Sequence, residues 1–155
     1  MTNKDKHYQS NAPILLFNDI EVGDFLTIPS LLITAGHIDQ FAALTGDEFD
    51  IHMSDEAATS HGFPSRVAHG LLILSLVDGL KNQASMKFNA IASLGWDWKF
   101  HQPVLIGDTI HPRLSIMNKR VTKKNDRGIL YLEIVVTNQT CNIVQSGQNQ
   151  LLVYR

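Results

Sequence analysis

Gly46-Asp47-Glu48-Phe49-Asp50-Ile51-His52 sets an acid five residues ahead of a histidine, and Val67-Ala68-His69-Gly70 follows a short way downstream. A carboxylate and an imidazole together take a proton from water and return one, and a backbone N–H at the start of a helix stabilises negative charge growing on a carbonyl oxygen. Asp47, His52 and the Gly70 N–H are therefore the parts needed to activate a water beside a polarised carbonyl. An acid and a histidine at this spacing are a weak signal by themselves, because an acid just past a helix end is ordinarily a capping or loop residue. His69, at a helix start, reads as a structural hydrogen-bonding residue rather than a base. His37, His61, His101 and His111 show no ligand-like spacing with cysteines or acid clusters, so no metal site is expected.

The elements that must position these groups follow from pattern. Thr34 is a good N-cap, and Ile38, Phe41, Ala42 and Thr45 share one face of a helix over 35–45, which Gly46 stops. Asp47 to Met53 is then expected as a loop leaving a helix end, and Ser54 caps a short helix carrying Asp55 and Glu56 in its first turn. The spacing predicts a second long helix from about Ala68 to Asn82. Its leucines, isoleucine and valine surround it almost completely, leaving a polar stripe of Ser75, Asp78 and Asn82, so burial on most sides is expected. Beyond Asn89 the period changes to two. Leu94 to Phe100, Thr109 to Val121, Leu130 to Val136 and Ile143 to Val153 alternate as strands, with turns at Gly107-Asp108, Lys124-Gly128 and Thr140-Asn142. Pro112 lacks a donor and is expected at an edge or a bulge. Short strands are expected near Ile14–Phe17, Phe25–Ile28 and Leu31–Ile33. The whole reads as α+β, an antiparallel curved sheet wrapped around a central apolar helix in the hotdog arrangement.

Composition narrows the functional classes. Apolar residues make up 44% and charged residues 18%, with a formal net charge of −2. That is an ordinary globular balance without the basic face that nucleic acid requires. No apolar run is long enough to span a bilayer and no signal peptide is visible, so no membrane partner is expected. The lone Cys141 fits a reducing, cytoplasmic compartment. A polar tail is expected over 1–13 and a single domain over 14–155.

Read jointly, Thr45-Gly46-Asp47, His52, Ser54-Asp55-Glu56-Ala57-Ala58 and Val67-Ala68-His69-Gly70-Leu71-Leu72 resemble the hydratase motif of the MaoC-like dehydratases, the (R)-specific enoyl-CoA hydratases. Trp98-Lys99-Phe100, Pro103-Val104 and Gly107-Asp108-Thr109-Ile110 resemble that family's strand pair, and the similarity runs from roughly Phe17 to the C-terminus. The resemblance implies a homodimeric, possibly larger, hotdog protein that hydrates trans-2-enoyl thioesters to (R)-3-hydroxyacyl thioesters, or runs the reverse dehydration. CoA or acyl carrier protein would carry the substrate, with no other cofactor. Carried over by position, Asp47 and His52 would hold the water and the Gly70 N–H would bind the thioester oxygen, glycine letting the substrate approach closely. The chain departs from the family where Phe49-Asp50 replaces the usual Asn-Pro, so that Asp50 either compensates for the lost asparagine or competes with Asp47 for the water. It departs again at Asp78, where a small hydroxyl is usual. Two alternatives stand beside this reading: a hotdog acyl-thioesterase using an acid such as Asp78, and a non-catalytic acyl-thioester-binding protein.

Overall fold

The computed structural model describes residues 12–155, so the tail expected over 1–13 falls almost wholly outside the described residues. Its inner end is tied down, the Lys87 N–H donating to the Pro13 carbonyl at 3.0 Å. The elements run β1 (Ile14–Leu15), a 3-10 turn (Phe17–Asp19), β2 (Phe25–Thr27), β3 (Leu31–Leu32), α1 (Ala35–Thr45), α2 (Asp50–Met53), α3 (Asp55–Ser60) and α4 (Gly70–Lys81). The strands β4 (Lys87–Phe88), β5 (Ala90–Phe100), β6 (Thr109–Val121), β7 (Arg127–Thr137) and β8 (Ile143–Tyr154) complete the chain. The main sheet is ordered β2-β6-β7-β8-β5 with β3 also on β6, all antiparallel, and β1 pairs with β4 separately in parallel.

The core is the meeting of α4 with the inner face of that sheet. Leu72, Ile73, Val77 and Leu80 of α4 are buried in one cluster with Ile110, Leu114, Ile116, Leu130, Leu132, Ile134, Val136, Leu151 and Val153. The period-two alternation of β6 and β7 places every second side chain against the helix, and each such burial contributes about 1.5–3 kcal/mol. This is the hotdog arrangement expected from the pattern.

Local signals set several boundaries where the sequence placed them. Thr34 Oγ1 accepts from the His37 N–H while the Thr34 N–H donates to His37 Nδ1, and Gly46 closes α1 at φ +77° with its N–H on the Ala42 carbonyl. Other expectations are corrected. The central helix begins at Gly70 rather than Ala68, because Val67 bridges to Leu105 and the Ala68 N–H donates to the Val104 carbonyl, which holds both residues extended. The burial of α4 on most sides has one apolar exception, Leu71 in the first turn, which is 59% exposed. Residues 47–53 are not all loop; α2 turns over Asp50–Met53, with Asp50 favourably in its first turn. Pro112 is not at a bulge but at a local edge: it pairs with Val136 on one side, and its missing donor falls in the gap on the other side, where β6 passes from β3, paired at Ile110, to β2, paired at Arg113. The β6 bulge lies at Ile116/Asn118.

Candidate active site

Two chain segments that the fold brings side by side form the site. The Val67 N–H donates to the Ile51 carbonyl at 3.0 Å, and the Arg66 guanidinium donates through Nε to the His52 carbonyl at 2.6 Å. Arg66 also pairs with Asp39 on α1, and its N–H donates to Asp55 Oδ1 on α3 at 2.8 Å. One residue thus ties α1 and α2 through its mostly buried guanidinium, and α3 through its backbone N–H, behind His52. Sequence reasoning passed over Arg66; its one signal was being an isolated charge beside the motif.

On this frame His52 Nδ1 donates to the Val67 carbonyl at 2.7 Å. A carbonyl only accepts, so Nδ1 carries a proton, and in the neutral ring Nε2 keeps its lone pair as a proton acceptor. His69 is 2% exposed and donates through Nε2 to the Asp47 carbonyl at 2.8 Å, which makes it the clip that fixes the Asp47 loop. By the same reasoning its buried Nδ1, which has no hydrogen-bond partner, is the unprotonated nitrogen. The His52 and His69 rings stack at 3.8 Å between centroids, and the Phe41 ring lies tilted against His69 at 5.0 Å.

Donor atoms of Asp47, His52 and His69 all lie within 4.8 Å of one another. Two imidazoles and a carboxylate are a donor set that suits zinc. The rings, however, are inclined by only 28°, so lone pairs in their planes run alongside each other rather than converging. A bound ion would need one ring to turn. Of the histidines set aside from sequence, His37 caps α1, His111 bonds Ser30, His61 faces Asp50 and His101 bonds Ser146; none belongs to this group.

The geometry separates the two acids. Asp47 stands with the histidines, whereas Asp50 Oδ2 lies 3.6 Å from His61 Nε2, both side chains exposed. Phe49 packs edge-on to His52 at 6.2 Å and lies 6.4 Å from His61. The Phe49-Asp50 pair therefore engages His61 and leaves the position beside His52 to Asp47.

His52, Phe63, Val67, Ala68, Gly70 and Val104 line one cleft of about 290 Å³ with Phe100, His101 and Gln145. Asp47 is not among its lining residues and meets it through His52. Gly70 is the first residue of α4; no side chain caps that helix and no acid stands in its first turn, so its leading N–H is without an acceptor among the described residues. Glycine is required there for a reason the sequence did not show: a Cβ would sit 2.5 Å from the Phe100 ring, so an aromatic side chain occupies the room expected to serve the substrate. Asp78 is elsewhere. It pairs with Lys81 at 2.8 Å and lines a different cleft with Phe88, Ile91 and Leu151, about 12 Å along the helix axis from Gly70.

Comparison with known proteins accords with this arrangement. The chain is 39% identical over 112 residues, 72% of its length, to Protein MaoC of Klebsiella aerogenes, of which it spans only 32%. It is 30% identical over 89 residues to the (R)-specific enoyl-CoA hydratase of Aeromonas caviae, covering 57% of this chain and 66% of that one. A solved structure from Archaeoglobus, described as a monoamine oxidase regulatory protein, superposes with a TM-score of 0.85 at 28% identity, covering 93% of this chain and 97% of that one. The profile described as MaoC like domain matches residues 21–138, spanning α1 to α4, both segments of the cleft and most of the sheet. With the matched stretch taking in Asp47, His52, His69 and Gly70, the chain belongs to the MaoC-like dehydratase family.

Proposed function

We propose that the protein adds water across trans-2-enoyl thioesters to give (R)-3-hydroxyacyl thioesters, or runs the same step backwards, with CoA or acyl carrier protein as the carrier and no further cofactor. One observation carries this reading: His52 is held in the tautomer that leaves Nε2 unprotonated, in the same cleft as the first residue of α4, whose N–H has no acceptor among the described residues. The Aeromonas caviae relative's name supports the substrate class and the stereochemistry.

In the proposed step a water rests between Asp47 and His52. His52 Nε2 takes its proton, the oxygen bonds to C3, and the C2–C3 π pair moves onto the thioester as an enolate. The Gly70 N–H stabilises that oxyanion, aided by the partial positive charge of the α4 N-terminus. The enolate collapses as C2 receives a proton from the same Asp47/His52 pair, so one water supplies both hydroxyl and hydrogen. Asp78 lies about 12 Å along α4 from Gly70, too far to act on a carbonyl held at that end, so the hydration reading gives it no part.

The assembly proposed is a homodimer. The edge strand β5 pairs only with β8 and offers eleven residues of free backbone edge, with Leu94 49% and Phe100 57% exposed beside the 59% exposed Leu71. No described helix is long and apolar enough to cross a membrane. The exposed thiol of Cys141 suits the reducing cytoplasm proposed for the protein. Purified protein incubated with crotonyl-CoA decides among the readings: loss of the enoyl absorbance with 3-hydroxybutyryl-CoA as product supports hydration, release of free CoA supports thioester cleavage, and binding without either supports a carrier.

A further inference from the structure

Behind the cleft, β8 and β5 place a buried amide where it touches the start of α4. Gln145 is 2% exposed and stands opposite Phe100 in the ladder. Its Oε1 accepts from the Trp98 indole N–H at 2.8 Å, and its Nε2 donates to the Gly70 carbonyl at 3.1 Å. The orientation of the amide is forced by its partners. An indole nitrogen only donates and a carbonyl only accepts, so the oxygen must face Trp98 and the nitrogen must face Gly70. Trp98 packs where residue 147 is glycine; a Cβ there would lie 2.1 Å from the Asp97 carbonyl oxygen and 2.6 Å from the Trp98 ring.

We infer that Gln145 is a positioning residue for the reaction: the relay Trp98–Gln145–Gly70 fixes the first residue of α4, and with it the N–H that meets the developing oxyanion. This rests on the hydration reading of the cleft. The reason for such a tether lies in the helix start itself. α1 and α3 begin with side-chain caps from Thr34 and Ser54, and α2, without a side-chain cap, carries Asp50 in its first turn; α4 has neither, which leaves its donors to a ligand. The first turn of an uncapped helix frays, and an oxyanion donor must be held in place before the charge arrives. Gln145 restrains that turn through its carbonyl and leaves the N–H free. Neither hydrogen bond touches the reacting atoms, so the residue acts through Gly70.

The test uses the full chain and a matched control. Gln145→Glu keeps an acceptor for Trp98 but loses the donor to Gly70, and Gln145→Met loses both while approximating the volume. Asn149, the other buried amide of β8, donates to Ser93 Oγ and the Gly95 carbonyl on the outer reach of β5 and lines no part of the cleft, so Asn149→Asp repeats the loss of a buried amide donor away from the site. With crotonyl-CoA, both Gln145 variants are expected to lower kcat about 10- to 100-fold with KM moving less than about threefold, the pattern of a lost transition-state contact. Asn149→Asp is expected to lower Tm while kcat stays within about twofold. By nuclear magnetic resonance, the Gly70 N–H resonance should shift in both Gln145 variants, and the Trp98 indole N–H should keep its exchange protection in Gln145→Glu alone. Gln145 variants that lose Tm but retain kcat, or that raise KM at constant kcat, overturn the positioning role. An unshifted Gly70 resonance overturns the tether itself. If the unmodified protein hydrates no enoyl-CoA, the hydration reading fails and takes the catalytic role with it, while the resonance arm still reports separately on the tether.

Discussion

The two ends of α4 are finished in opposite ways. At the C-terminal end Lys81, 9% exposed, pairs with Asp78 at 2.8 Å and lies over the Trp96 ring at 5.4 Å. A cation in the last turn meets the partial negative charge of the helix terminus and is itself neutralised, so every charge there has a partner. At the N-terminal end nothing of the kind is present: no capping side chain, no acid in the first turn, and Gly70 among the residues that line a cleft. The same dipole is quenched at one end and left available at the other. On the proposed hydration reading, chemistry belongs at the end whose electrostatics are unfinished, and stability at the end where they are complete. Substitutions at the two ends should therefore separate activity from stability.

The largest effect is expected beside the open end. Asp47→Asn and His52→Ala should each lower kcat for crotonyl-CoA hydration by about 10²- to 10⁴-fold, the usual range for loss of an acid or base. Asp47 is exposed, and its contact with His69 runs through its backbone carbonyl, so Asp47→Asn should leave Tm nearly unchanged. Full activity in both variants would sink the site assignment. Asp50→Asn is the contrast, since Asp50 faces His61, and its rate should stay within about twofold of the unmodified protein. Gly70→Ala comes next. The added methyl meets the Phe100 ring, and overpacking of this kind costs about 1–3 kcal/mol, at the low end because an exposed ring can swing aside. Urea unfolding should show that loss, and Phe100→Ala in the same chain should recover it. Failure of the double variant to recover would mean that backbone strain at the helix start, not the ring, demands glycine.

What the sequence made legible was local. The Thr34 cap, the Gly46 stop and the alternation of Leu130 to Val136 are written in consecutive residues, and the structure follows them. The grouping of Asp47 with His52 was also visible, because five residues separate them. What stayed hidden depends on long separations. His69 reaches the Asp47 carbonyl across 22 residues, Gln145 reaches Trp98 across 47 and Gly70 across 75. Arg66 was hidden for a related reason, since its partners Asp39, His52 and Asp55 lie on three separate helices. A signal for Gln145 did exist. Counting back by twos from the buried Val153 and Leu151 puts 149, 147 and 145 on the inner face, where a glutamine and an asparagine must find partners. The start of α4 was misplaced because Ala68 has high helix propensity, yet its N–H is taken by the Val104 carbonyl.

The finished end of α4 supplies the third test. Asp78→Asn leaves the Lys81 ammonium buried without its anion. Breaking a buried pair is costly, but Asp78 is 45% exposed and Trp96 and the helix terminus still face the cation, so a loss of about 1–2 kcal/mol is expected, with kcat unchanged. A collapse of activity with stability intact would return Asp78 to the chemistry and revive the thioesterase reading.

The smallest effect is expected at a helix start that is capped. Thr34→Ala removes the oxygen that accepts from the His37 N–H at 3.4 Å, yet the reciprocal bond from the Thr34 N–H to His37 Nδ1 at 3.1 Å does not involve the deleted hydroxyl. Half of the capping box survives, so the cost should fall near the lower part of the usual range, about 0.5–1 kcal/mol. Urea unfolding should show this as a lower midpoint at constant slope, because the area exposed on unfolding does not change. The hydration rate should not move, since α1 presents Asp47 from its opposite end, about 16 Å away, through a glycine stop that the cap does not touch. A cap worth several kcal/mol, or a rate that fell with it, would mean that α1 transmits strain along its length to the Asp47 loop. The division between helix ends that are sealed for stability and the one left open for chemistry would then no longer hold.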